Sequence, residues 1–262
     1  MNTASTDAGK ALSKVPALTL GFWIIKIVAT TLGETGGDWV TMSLDLGYLV
    51  GTAIFTVFFI GLVTGQVKAD RFRPFLYWAT IIATTTLGTT LADFADRSLA
   101  IGYPGGVAIV ATLLVASLAT WYWSEGDVSV QSITRPRVEW FYWVTILFSQ
   151  TLGTALGDWA AGTDRGGMGL GYENGALIFG AGLVVVAALY FFWKNCSRAL
   201  LFWAAFVLTR PLGATLGDLL DKPVADGGFG VSRLLATLIL LGIILAGVLL
   251  LPQRSAQGSA AR

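Results

Sequence analysis

The chain has 262 residues, of which 55% are hydrophobic and 13% charged, with a formal net charge of +1 and a mean hydropathy of +0.70. A soluble domain carries roughly 25% charged residues, and here the apolar residues run in blocks of about twenty, the length that crosses a bilayer. This excludes a secreted enzyme and a cytosolic domain, and a near-neutral chain with no basic run excludes a nucleic-acid partner.

Along the chain, residues 1–15 read as a small, polar, disordered cytoplasmic tail. Lys10 and Lys14 precede an apolar stretch in the manner of a signal peptide, but that stretch contains Lys26 and has no small-residue cleavage site. It is read as a retained first helix. Spans follow near 16–38, 46–67, 74–94, 103–123, 139–159, 172–193, 199–219 and 229–251, each covering roughly 30 Å. Pro16 and Pro74 suit helix starts, and Pro252 suits the residue after a helix end. Residues 252–262 form a second cytoplasmic tail. The fold class is thus an all-α integral membrane protein with eight transmembrane helices in one domain, residues 16–251.

The chain repeats itself. Trp23 and Asp38, Trp78 and Asp93, Trp143 and Asp158, and Trp203 and Asp218 recur at one spacing, around the cores TLGETGGDW, TLGTTLADF, TLGTALGDW and PLGATLGDL. A second signal follows in three repeats, Leu46-Gly47-Tyr48, Ile101-Gly102-Tyr103 and Leu170-Gly171-Tyr172, with Phe229 and its flanking glycines as the degenerate fourth. Each repeat reads as a helical hairpin, over about 16–67, 74–123, 139–193 and 199–251. Two spans per repeat make all four run the same way, so their pseudo-symmetry axis lies along the membrane normal.

The basic residues orient the bundle. Lys10, Lys14, Lys68, Arg71, Arg73, Arg135, Arg137, Lys194, Arg198, Arg254 and Arg262 fall on one side, and Arg97, Arg165, Lys222 and Arg233 on the other. The positive-inside rule places both termini in the cytoplasm and the four Asp motifs outside.

On a helix the motif has two faces. Gly33 and Gly37, Gly88 and Ala92, Gly153 and Gly157, and Gly213 and Gly217 form small-xxx-small stripes for close helix packing. The Asp lies about 100–140° away, with residues three, four, seven and eight earlier. These are Thr35, Glu34, Thr31 and Thr30 in the first repeat and Thr90, Thr89, Thr86 and Thr85 in the second. In the third they are Ala155, Thr154, Thr151 and Gln150, and in the fourth Thr215, Ala214, Pro211 and Arg210. Either the hydroxyls bond their own helix and the Asp caps it, or the four faces converge on a polar path.

The departures from symmetry sharpen the second reading. Lys26 stands where the other repeats have Ile81, Ile146 and Phe206, about 18 Å deeper than Asp38. Glu34 replaces Thr89, Thr154 and Ala214, and Gln150 and Arg210 replace Thr30 and Thr85. Ionisable groups at such depth are expensive and usually functional. They form either a private ion-pair set, with Glu34 satisfying Lys26 or Arg210, or a gating network. Pro211 removes a helix hydrogen bond beside them. The four motif Trp residues read as packing anchors.

Histidine is absent, and the one cysteine, Cys196, lies in a loop, so no haem, thiolate cluster or soft-metal site can form. No resident cofactor is expected. No nucleophile–base pair marks an enzyme, and a Schiff base on Lys26 with Glu34 as counter-ion lacks its surrounding pattern.

Four tandem two-span repeats, each with a Trp and an LG-x3-[GA]-D core, resemble a family of bacterial membrane proteins. That family is defined by a repeat of unknown function and often labelled as uncharacterised membrane-anchored proteins. The resemblance covers residues 16–251. It implies an eight-span protein of the bacterial inner membrane and carries no activity to any residue.

The function expected from these residues is a transporter or channel for a small cation, lined by the odd-numbered helices. Binding falls to Glu34, Asp38, Asp93, Asp158 and Asp218 with Thr31, Thr86 and Thr151, and charge balance or gating to Lys26, Gln150 and Arg210. A hard divalent cation such as Mg²⁺, Mn²⁺ or Ca²⁺ as substrate would take Glu34, Asp38 and Asp158. The alternatives are a non-transporting scaffold or sensor, and proton-coupled transport of a small organic solute. The partners are the lipid bilayer and the small cation, and a homo-oligomer is compatible.

Overall fold

The computed structural model describes residues 13–98, 101–130 and 133–256. Within them the chain forms eight long helices: α1 (Leu20–Asp38), α2 (Gly47–Lys68), α3 (Pro74–Asp93), α4 (Gly102–Glu125), α5 (Pro136–Ala161), α6 (Gly171–Phe192), α7 (Arg198–Asp221) and α8 (Arg233–Leu250). Six are long and apolar enough to cross a membrane: α2, α3 with the π-helical turn that carries it to Ser98, α4, α6, α7 and α8. α1, with Lys26, Glu34 and Asp38, and α5, with Arg137, Glu139 and Asp158, fall outside that set.

Local chemistry sets the helix ends. The Thr19 hydroxyl accepts from the Phe22 N–H at 3.2 Å, so α1 starts at Leu20 and Pro16 lies outside it. Pro74 and Pro136 occupy the first turns of α3 and α5, where a missing N–H leaves no bond broken. Gly47, Gly102 and Gly171 open the even helices at φ of 73°, 70° and 74°, a backbone that a β-carbon disfavours. That requirement explains the second repeated signal. α7 runs through Pro211 without interruption.

The odd helices form a closed ring in which α1 packs on α3, α3 on α5, α5 on α7 and α7 on α1. The even helices stand outside it, and each packs chiefly on the odd helix of the next repeat: α2 on α3, α4 on α5, α6 on α7, and α8 back on α1. The hairpin expected from each repeat is therefore a unit of sequence, not of packing. The outer surface is apolar, with Leu49, Val57, Phe58, Val184, Phe191 and Leu249 exposed.

The ring closes through the glycine stripes. A β-carbon on Gly33 would collide with Thr85, and one on Gly37 would lie 3.1 Å from Thr89. One on Gly88 would lie 2.9 Å from the Gln150 carbonyl carbon. One on Gly153 would strike the Arg210 stem, and one on Gly157 would lie 2.9 Å from Ala214 Cβ. Around the circle, Gly213 meets Thr30 and Gly217 meets Glu34. Each stripe thus seats the residues eight and four before the Asp of the neighbouring helix. The two faces of each motif are the two halves of one repeated interface.

At the end that carries the termini, Tyr77, Trp78, Tyr142, Trp143, Phe202 and Trp203 build a buried aromatic layer, with the Tyr77 and Tyr142 hydroxyls 2.8 Å apart. The motif Trp residues are packing anchors there. Ser13, Lys14 and Val15, expected from composition in a disordered tail, are buried against this layer. The Lys14 ammonium lies 2.6 Å from the Glu139 carboxylate and donates to the Ala69 carbonyl at 2.7 Å. Backbone bonds from Ala17 to Arg254 and from Ala256 to Val15 tie down the start of the second tail. The remaining residues of both tails, Lys10 and Arg262 included, lie outside the described residues.

Stability will separate two classes of glycine. Gly88→Ala and Gly213→Ala, which face backbone atoms, are expected to lower stability by about 1–3 kcal/mol. Gly61→Ala and Gly242→Ala face open space and should be neutral or stabilising by up to about 1 kcal/mol. Thermal unfolding of the detergent-purified variants checks the contrast.

Candidate functional site

Three polar layers stack inside the ring above the aromatic layer. In the first, Lys26 is fully buried, its ammonium 4.2 Å from the Phe206 ring centre. It donates to Gln150 Oε1 at 3.5 Å and to Thr209 Oγ1 at 3.4 Å. In the second, the Arg210 guanidinium donates to Glu34 Oε2 at 2.9 Å, to Thr89 at 2.5 Å and to Thr154 at 2.6 Å. It reaches the Thr30 carbonyl at 3.3 Å. One side chain from α7 therefore touches α1, α3 and α5. Glu34 is satisfied by Arg210, and Lys26 makes no ion pair among the described residues.

The third layer holds the four aspartates, all buried, and joins them in two pairs. Arg97, one helical turn after Asp93, lies 2.8 Å from its own Asp93 and 3.7 Å from Asp158 on α5. Lys222, one turn after Asp218, lies 3.0 Å from Asp218 and forms a second ion pair with Asp38 on α1. The two triads sit on opposite sides of the ring. Arg233 flanks the second, 3.6 Å from Asp221 and 3.9 Å from Asp38, and the Tyr48 hydroxyl accepts from Arg97 at 3.3 Å in the first. Asp96 and Asp221, equivalent positions of repeats two and four, are buried beside them.

Burial alone would lower the pKa of the Lys222 ammonium, but the carboxylates of Asp218, Asp38 and Asp221 outweigh it and hold the group well above the ordinary lysine range. Lys222 thus stays protonated at physiological pH while it serves two aspartates.

Arg97, Lys222 and Arg233, which the sequence places on the outer side without a role in the site, enter this layer. A signal for the first two does exist, because Asp93-x2-Asp96-Arg97 and Asp218-x2-Asp221-Lys222 recur in alternate repeats at i, i+4 spacing. Arg233 belongs to the fourth copy of the second repeated signal, which is Val231-Ser232-Arg233 rather than Phe229 and its flanking glycines. In the third repeat Met168 N–H bonds the Trp159 carbonyl and Leu170 N–H bonds Ala160; in the fourth, Phe229 bonds Leu219 and Val231 bonds Leu220. Phe229 is thus the counterpart of Met168, and Val231-Ser232-Arg233 matches Leu170-Gly171-Tyr172. Ser232 replaces the left-handed glycine with a cap accepting from Leu235 N–H at 3.3 Å, and Arg233 takes the tyrosine's place.

Other expected residues are placed differently. The Thr31, Thr86 and Thr151 hydroxyls each donate back to their own helix, to Ile27, Ile82 and Leu147 at 2.8–3.0 Å, and reach no other segment among the described residues. Among the described residues, the threonine hydroxyls that cross between ring helices are Thr30, Thr89, Thr154 and Thr209. Of the metal set, Glu34 and Asp38 come together with Asp218 rather than with Asp158, their oxygens within 4.8 Å of one another. Asp158 faces Arg97 instead. Three carboxylates suit a hard cation, but Lys222 already bridges two of them and Arg210 holds the third.

Residues 21–72, 76–127, 141–195 and 201–255 each match the family described as Repeat of Unknown Function (DUF347). The chain belongs to this family. No curated protein and no solved structure matches it. Each DUF347 repeat comprises one ring helix and one outer helix, and the ring draws its polar lining from all four copies. The basic residues of the third layer come from the second and fourth repeats alone.

Removing Lys222 leaves the buried Asp218 without an ion pair among the described residues and Asp38 with only the Arg233 contact at 3.9 Å, so Lys222→Met is expected to lower stability by about 3–5 kcal/mol. Thr31→Val, Thr86→Val and Thr151→Val lose only in-helix bonds and should each cost about 1 kcal/mol or less. Chemical unfolding followed by tryptophan fluorescence measures both.

Proposed function

We propose that this chain is a membrane transport protein in which the ring of odd helices carries a small cation, with the proton as the best fit. In this reading the protein is integral to a bacterial inner membrane, with eight spans, its pseudo-fourfold axis along the membrane normal and both termini cytoplasmic. The outer helices face lipid. The aspartate layer lies toward the outer side and the aromatic layer toward the inner.

The observation that carries the proposal is the pair of triads, each with two buried aspartates sharing one basic side chain. A triad of that composition carries one negative charge in excess and can take up one proton without leaving a buried charge unmatched. Across the three layers Glu34, Asp38, Asp93, Asp96, Asp158, Asp218 and Asp221 face Lys26, Arg97, Arg210, Lys222 and Arg233. That leaves two more acidic than basic groups. The near-balance favours protons over a divalent ion, which would have to displace Lys222 and Arg210. Uptake at the aspartates and transfer toward Glu34 would be coupled through the Arg210 contacts to α1, α3 and α5.

The competing reading is a non-transporting scaffold, favoured by the in-helix bonding of Thr31, Thr86 and Thr151. Proton flux decides between them. In proteoliposomes with an internal pH-sensitive dye and an imposed pH gradient, wild-type protein should accelerate dissipation over empty vesicles. Asp93→Asn and Asp218→Asn should slow it more than about tenfold, equivalent to about 1.4 kcal/mol on the barrier, while Thr31→Val should leave it unchanged. Wild-type flux equal to that of empty vesicles, with and without Mg²⁺ or Mn²⁺ gradients, would assign the chain to the scaffold reading.

A further inference from the structure

The Lys26 layer is built unlike the aspartate layer above it. Among the described residues its ammonium meets no carboxylate, only the Gln150 and Thr209 side-chain oxygens and the Phe206 ring. Gln150 Oε1 accepts from Lys26, which leaves Nε2 as the amide's donor. That Nε2 has no partner among the described residues, nor do Arg210 Nε and Thr85 Oγ1, and all three side chains are fully buried. Thr85, Gln150 and Arg210 occupy equivalent positions, eight residues before the Asp of their repeats, so they contribute from three walls of the ring at one level. The fourth wall is closed, because Thr30 donates to the Thr209 carbonyl at 3.1 Å. The Glu34 carboxylate pairs with Arg210 and leaves Lys26 without an acidic partner among the described residues.

Unpartnered buried donors are unfavourable unless something accepts from them, and a buried ammonium with no carboxylate is unfavourable unless a counter-ion reaches it or it gives up its proton. Water satisfies the first demand but not the second.

We propose that this layer is a buried binding site for a small monovalent anion, a halide or a short carboxylate, held by Lys26, Gln150 Nε2, Arg210 Nε and Thr85 Oγ1. The site is distinct from the aspartate layer and opposite to it in charge, and it stands whether or not protons move through the triads. An anion bound there gives Lys26 the counter-ion that the chain itself withholds.

The test is the melting temperature of the detergent-purified protein at constant ionic strength, with sodium gluconate as reference against chloride, bromide, formate and acetate. Binding to the folded state predicts a saturable upward shift of about 3 °C or more with at least one small anion. Chloride and bromide acting alone would identify a halide site, and formate or acetate acting alone a carboxylate site. Gln150→Glu supplies an internal counter-ion for Lys26 and should abolish the anion dependence while the protein still melts cooperatively; Lys26→Met should abolish it too. If the small anions and gluconate give the same wild-type melting temperature, or if the shift survives in Gln150→Glu, the proposal is overturned.

Discussion

The rest of the structure depends on the fit of a glycine stripe on one odd helix against the residues eight and four before the aspartate on the next. Where a β-carbon would strike Thr85, Gln150, Arg210 or Thr30, its absence lets two backbones approach closely and gain dispersion contact. Repeated four times, the contact closes a ring. Closure turns every hydroxyl-bearing face toward its neighbour and the axis, and leaves the outer helices to present apolar side chains.

Inside such a ring, charge has few choices. The desolvation of each ion must be offset by a partner close by, and the layers meet this demand in different ways. Arg210 Nη2 reaches an acid and two threonines on three other helices, while Nη1 reaches the Thr30 carbonyl. In the aspartate layer one basic group serves two carboxylates, once with arginine and once with lysine. Lys26 is held by a ring face and two neutral oxygens. The fourfold scaffold thus carries twofold charge in one layer and none of that symmetry in the layers beneath, so the site is made by the exceptions to the repeat.

Much of the architecture was legible along the chain. Apolar blocks, proline positions and the repeat give eight helices whose ends agree with the structure to within about four residues, and composition alone separates the polar odd helices from the apolar even ones. The candidate site was legible in part. Lys26, Glu34, Gln150 and Arg210 stand out as departures from a repeated pattern, and all four meet in the core. The hydroxyls at Thr31, Thr86 and Thr151 share a face with the aspartates in helical projection, yet their short side chains bond the preceding turn. The tail residues Lys14 and Val15 look solvated by composition, but distant partners at Glu139 and Ala256 bury them.

The sequence by itself determined that the chain is a fourfold repeat of long helices belonging to the DUF347 family, because periodicity, glycine spacing and hydropathy are properties of neighbouring residues. Only the tertiary structure decided which surfaces those helices share. It packs each outer helix on the next repeat's ring helix, places Glu34 with Arg210 rather than with Lys26, and brings Arg97 and Lys222 from apparent loops, and Arg233 from the start of the last span, into the aspartate layer. The physical reason is that an ion pair across a ring is fixed by the rotation and rise of two helices against each other, and no spacing within either helix encodes that.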